Sequence, residues 1–138
     1  DRFSLAFILV RRNTQARFTT SQFDNVPSGT FITEEVVAQT TTEEEMGSRV
    51  EAGFEFFLVA QKSIGVARPS LCTVLHSDVQ LTRRQVVELT FRLCGLYMTF
   101  PGRVALPAPL RYANKLLNLI LRCDGVAAQS SESRLFFI

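Results

Sequence analysis

Tryptophan is absent from this 138-residue chain, and histidine occurs once, at His76. No Ser-His-Asp arrangement can be assembled around that imidazole, and no glycine-rich phosphate loop is present, so neither a triad hydrolase nor a nucleotide-cradling loop is indicated. Cysteine is scarce: Cys72, Cys94 and Cys123 are odd in number, far apart and include no CxxC pair. This argues against a disulfide framework and a zinc site, and fits reduced, buried thiols in a cytosolic or nuclear compartment. Every apolar run falls short of the ~20 residues that a membrane-spanning helix needs. There is no internal repeat. The chain opens on Asp1 without a charged segment and apolar stretch of the secretory kind, and reads as a piece of a longer polypeptide.

Lysine is rare as well. Lys62 and Lys115 are the only two among 15 basic residues, the rest being Arg, whose planar fork matches phosphate oxygens as an ammonium does not. The net charge of +2 hides a segregation. Glu34, Glu35, Glu43, Glu44, Glu45, Glu51 and Glu55 crowd the first half, while Arg83, Arg84, Arg92, Arg103, Arg111, Lys115 and Arg122 populate the second. A local positive face toward a phosphate-bearing partner follows. The 46% apolar content and 12 Phe indicate a folded chain, and one domain of this size buries roughly two-thirds of its unfolded surface.

Along the chain, the nearly unbroken apolar run from Phe3 to Val10 predicts a buried central strand that delivers Arg11 and Arg12 at its exit. Pro27-Ser28-Gly29 predicts a turn before a short strand at Thr30-Phe31-Ile32-Thr33. Residues 34 to 53 are polar and acidic and read as a solvated or mobile insertion. Phe54 to Ala60 and Leu71 to Leu75 are further strands. Thr82-Arg83-Arg84-Gln85 has the form of a capping box, after which Val86, Leu89, Leu93, Leu96, Tyr97 and Phe100 recur at helical spacing until Pro101-Gly102. Pro107-Ala108-Pro109 opens a second helix, with Ala113, Leu116, Leu117 and Ile120 on one face and Asp124-Gly125 at its end. The class is α/β or α+β, a mixed sheet of about four strands followed by two amphipathic helices. The apolar ending Leu135-Phe136-Phe137-Ile138 predicts a docked C-terminus.

Phe56-Phe57-Leu58-Val59-Ala60-Gln61, then Gly65, Arg68-Pro69-Ser70, Leu89-Thr90-Phe91-Arg92-Leu93-Cys94 with Tyr97, and Pro107-Ala108-Pro109 with Tyr112-Ala113 fall in a specific order. That order resembles the C-terminal part of the PIWI domain of Argonaute proteins, closer to the Piwi branch. Ile8 to Arg12, Arg17-Phe18, the Pro-x-Gly-Thr turn at Pro27 and the final Arg134 to Ile138 extend the resemblance over nearly the whole of residues 1–138, residues 34 to 53 excepted.

The resemblance implies an α/β, RNase H-like fold and binding of a guide RNA or DNA strand together with its paired target, in the company of the remainder of an Argonaute/Piwi protein. It places guide phosphates near Arg12, Arg17, Arg68 and Tyr97. Thr99, Ala105 and Leu119 stand where some relatives carry basic or hydroxyl groups, and Arg103, Arg111 and Lys115 are candidates to compensate. The family's metal-binding Asp, Glu and second Asp are expected upstream of residue 1. The fourth ligand, His or Asp in the family, matches Asn114, a neutral donor that cannot take a proton, which weakens two-metal cleavage. By the same resemblance, the terminal carboxylate of Ile138 is a candidate to help a magnesium ion hold the guide's 5′ phosphate. His76 falls outside the catalytic position and reads as structural. Three functions remain open: a guide-gripping part without cleavage, an active guided endonuclease in the full-length protein, and a non-catalytic protein-interaction module.

Overall fold

The computed structural model describes residues 3–12, 14–33, 43–61 and 66–122. Strands β1 (Ala6–Arg11), β2 (Thr30–Thr33), β3 (Glu55–Val59) and β4 (Ser70–Ser77) form one sheet of order β1-β4-β3-β2. Helix α1 (Glu43–Gly47) precedes β3, and α2 (Arg83–Leu93) and α3 (Ala108–Arg122) follow β4. Every pairing is antiparallel, with Val10 opposite Cys72, Phe56 opposite Cys72 and Ile32 opposite Phe57, where the sequence led us to expect a mixed sheet. No helix among the described residues is long and apolar enough to cross a membrane.

Strand alternation sends Phe56 and Leu58 of β3 and Cys72 and Val74 of β4 to one face, where they are fully buried. Val86, Val87 and Cys94 cover that face from α2 and its end, with Ile8, Val10 and Phe91 packed at the margin. Helix α2 starts where the capping box requires. The Thr82 N–H donates to Gln85 Oε1 at 2.9 Å, and the Gln85 N–H donates to Thr82 Oγ1 at 3.2 Å.

Four expectations need correction. Among the described residues the β1 segment is an edge strand of alternating exposure and not a buried central one: paired there with β4 alone, it turns Ile8 and Val10 inward and leaves Phe7 and Leu9 exposed. The second half of the acidic stretch is not a mere insertion. Met46 and Val50 are buried in the core cluster, and the Val50 N–H donates to Leu81 O at 2.9 Å; residues 34 to 42 lie outside the described residues. Helix α2 stops at Leu93 and not at Pro101, because Gly95 follows the Cys94 cap and the Gly95 N–H bonds Arg92 O at 2.9 Å in a tightened last turn. Finally, the apolar stripe of α3 is not a core face among the described residues. Only Ala108 is buried, and Leu117 and Ile120 are exposed. The end of that helix at Asp124-Gly125 and the docked C-terminus lie outside the described residues.

Candidate nucleic-acid interface

Strands β1 and β3 both run antiparallel to β4, so they are parallel to each other and their C-terminal ends reach the same rim of the sheet. Arg12 leaves β1 there and Gln61 leaves β3 there. Onto this rim the segment after α2 brings Tyr97, Thr99 and Phe100, followed by Val104, Ala105 and Leu106, and the first turn of α3 brings Arg111. Together they line a half-open cavity of about 380 Å³.

Local bonds hold this wall in place. The Val104 N–H donates to Cys94 O at 2.9 Å, and Ser70 Oγ donates to Ala105 O at 2.9 Å, tying the loop to the end of α2 and the start of β4. Pro107 O accepts the N–H groups of Leu110 and Arg111 at 3.0 and 3.2 Å, so the Pro-Ala-Pro segment launches α3 at a fixed point. Pro109, in the first turn, withholds a donor that the helix would leave unpaired in any case.

Among the described residues the charge in the lining comes from Arg12 and Arg111, Gln61 and Thr99 are neutral polar groups, and no carboxylate takes part. Neither guanidinium is ion-paired with a carboxylate among the described residues, whereas Arg92 pairs with Glu88 on the exposed face of α2. Arg111 lies over the Tyr97 ring, 5.3 Å from its centroid, a cation–π contact of about 0.5–1 kcal/mol at such a partly open place. The Tyr97 ring in turn leans on Tyr112, with centroids 5.1 Å apart at 47°. Two cations with no described carboxylate beside them, among neutral polar and apolar side chains, suit a phosphodiester segment.

The structure brings Arg12, Tyr97 and Arg111 together and leaves the other sequence candidates elsewhere. Arg17 is exposed and folds back, its Nη1 donating to Thr14 O at 3.1 Å and Ala16 O at 2.7 Å. Arg68 is exposed beside the loop that the Ala67 N–H pins to Asn25 Oδ1 at 2.8 Å. Arg103 lies over Phe91, 4.3 Å from its centroid, and so serves α2 and not the cavity. Lys115 is half-buried one turn beyond Arg111, and Asn114 is exposed on α3. His76 is exposed on β4, opposite Phe7. Ile138 lies outside the described residues. Sequence reasoning missed Gln61, Phe100, Val104 and Leu106. The available signal was the end of the apolar run from Phe54 to Ala60, which Gln61 immediately follows.

Burial pushes the Cys72 thiol up to about 12, with Cys94 adding to the effect, and burial pushes Cys94 up to about 11 against the opposing pull of Arg103. Both therefore remain protonated thiols near neutral pH, unsuited to act as nucleophiles. Among the described residues no three His, Cys, Asp or Glu side chains come together to hold a metal ion, and Asn114 offers only a neutral amide. The described donors do not fit a metal centre of their own.

The sequence model of the Piwi domain matches residues 1–123. The chain belongs to the Piwi domain family. It is 34% identical to Piwi-like protein 3 of Homo sapiens over 143 residues, covering 100% of this chain and 15% of that protein. It is 31% identical to Protein piwi of Drosophila melanogaster over 136 residues, covering 97% of this chain and 15% of that protein. The fold matches the crystal structure of Drosophila Piwi with a TM-score of 0.66 and 29% identity, over 85% of this chain and 15% of that one. It also matches the C-terminal lobe of a budding yeast Argonaute with a TM-score of 0.65 and 22% identity, over 83% and 23% of the two chains, a likeness of fold alone. This piece of Piwi domain thus spans about 15% of the length of those curated relatives.

Proposed function

We propose that this chain is a guide-gripping part of an Argonaute/Piwi protein acting in RNA silencing, and that the cavity between Arg12 and Arg111 holds the backbone of a small guide RNA. The observation that carries this reading is the convergence of Arg12, Tyr97 and Arg111, from three separate segments, on one cavity whose lining, among the described residues, contains no carboxylate. Membership of the Piwi domain family supports it. Contacts of this kind fix phosphates and leave base edges free, so sequence is read by pairing of the guide with a target strand, and the protein supplies register and orientation. The remainder of the Argonaute/Piwi protein completes the path, and the exposed Arg17 and Arg68 extend the positive surface outside the cavity. The Ile138 carboxylate with a magnesium ion remains the proposed hold on the guide's 5′ phosphate. Cleavage is not assigned to these residues, since Asn114 is neutral and the described carboxylates do not gather around it.

The test is binding of 5′-phosphorylated guide RNAs of unrelated sequence to the full-length protein carrying Arg12→Ala or Arg111→Ala. Each substitution is expected to weaken all guides by the same factor, about 10-fold for a lost charge-assisted hydrogen bond. A protein-interaction module that had lost nucleic acid would bind the guides weakly from the start, and neither substitution would matter.

A further inference from the structure

Arg111 is the cation that α3 contributes to the cavity, yet an arginine at a half-open helix start has many rotamers to choose from, and ordering it on a ligand costs affinity. The next residue along the helix, Tyr112, is not in the cavity lining. At 3.6 residues per turn it projects about 100° around the helix from Arg111, and it meets the turn that follows α2. There the Met98 N–H donates to Tyr112 Oη at 3.0 Å, and the Tyr112 ring lies against that of Tyr97. The same Tyr97 ring carries the Arg111 guanidinium. Contacts and covalent chain therefore close a small circuit: the hydroxyl of Tyr112 fixes the backbone at Met98, the backbone at Met98 fixes the Tyr97 ring, and the ring fixes Arg111. Helix α2 has ended at Cys94 and Gly95, so the Met98 N–H has no helical ladder to join and Tyr112 supplies its acceptor. The Phe100 N–H bond to Tyr97 O, at 3.2 Å, tightens the same turn.

We propose that Tyr112 is a positioning residue, whose hydroxyl preorganises the Tyr97–Arg111 pair for a guide phosphate; the inference rests on the guide-gripping reading above. It assigns the site's preorganisation to a side chain that touches no ligand and that the charge pattern of the sequence would not single out.

The experiment uses the full-length protein and a 5′-phosphorylated guide RNA as probe. Tyr112→Phe keeps the ring and removes only the hydroxyl. It is expected to weaken guide binding by about three- to tenfold, the share of one neutral hydrogen bond, and to make the dependence of affinity on salt shallower, toward that of Arg111→Ala. In the Arg111→Ala background the same change should add nothing, because the group it positions is gone. Tyr97→Leu, which removes the ring platform and leaves the Tyr112 hydroxyl, is the second variant and should give the same salt signature. A purely structural Tyr112 would leave the salt dependence as in the wild type, and its effect would add in full to that of Arg111→Ala; either result overturns the proposal. If Arg111→Ala itself leaves guide affinity unchanged, the guide-gripping reading fails, and the role of Tyr112 fails with it.

Discussion

Replacing Gly29 by alanine tests the joint between the sheet and α2. Gly29 has φ of +93°, and the Thr30 N–H bonds Pro27 O at 3.1 Å, which places Gly29 at the third position of a turn of the type II pattern, where a side chain is disfavoured. A residue with a Cβ held there costs about 1–3 kcal/mol. Space is short as well: an added Cβ would come within 3.1 Å of Phe91 Cζ, and that ring is covered by Arg103 at 4.3 Å. Phe91 would have to yield by a few tenths of an ångström, and crowding of this sort adds about 1 kcal/mol or more. The expected total is about 2–4 kcal/mol. The Gly29 N–H donates to Val59 O at 2.8 Å and Ser28 Oγ to Ala60 O at 2.6 Å, so the loss should be felt where β2 meets β3, next to Gln61. Native-state hydrogen exchange at the Gly29, Thr30 and Val59 amides reads it directly, and 2–4 kcal/mol corresponds to a loss of protection of about 30- to 1000-fold. Adding Phe91→Leu should return the crowding part and leave the backbone part. Protection within a factor of two of wild type in Gly29→Ala would refute both the turn assignment and the close approach.

Three other outcomes are expected. Thr82→Ala removes the hydroxyl that accepts from Gln85 N, so α2 should lose about 1 kcal/mol of protection in its first turn, with a smaller effect on the β1–β4 ladder. Both thiols have pKa values raised by burial above the ordinary 9.0, to about 12 for Cys72 and about 11 for Cys94, so the unfolded chain gives up these protons first. Their contribution is then complete below pH 9 and declines as pH rises toward 11 to 12; thermal melts should show this alkaline decline, and Cys94→Ala should flatten it. Residues 1–138 alone should not cut RNA or DNA with magnesium or manganese, and a metal-dependent cut abolished by Asn114→Ala would contradict the assignment of binding without cleavage.

What could be read from the sequence was local. Thr82 and Gln85 announce their capping box because both partners sit within one turn, and the turn at Pro27 to Gly29 is legible because glycine there answers a backbone demand. What could not be read depended on neighbours distant in the chain. The apolar run around Phe7 and Leu9 has the composition of a central strand, and only its pairing with β4 alone among the described residues makes it an edge there. Met46 and Val50 stand four apart, a helical spacing, but the surrounding glutamates masked two core residues. Leu96, Tyr97 and Phe100 continue the α2 periodicity past Gly95, so pattern alone ran the helix onward, whereas the glycine ends it and releases Tyr97 to the cavity. For the site, arginine content pointed to phosphate but not to which arginines meet. Arg103 and Arg111 look alike in the sequence, and only the rings beneath them, Phe91 and Tyr97, send one to the helix and the other to the cavity.

The central claim, that Arg12 and Arg111 grip guide phosphates from opposite segments of one cavity, is tested most directly by the salt dependence of guide affinity in the full-length protein. The account predicts that the slope of log affinity against log salt becomes shallower by about 0.7 for Arg12→Ala, by the same for Arg111→Ala and by about 1.4 for the pair, with the preference among guide sequences unchanged. An unchanged slope in the double variant, or a changed sequence preference at constant slope, would contradict it.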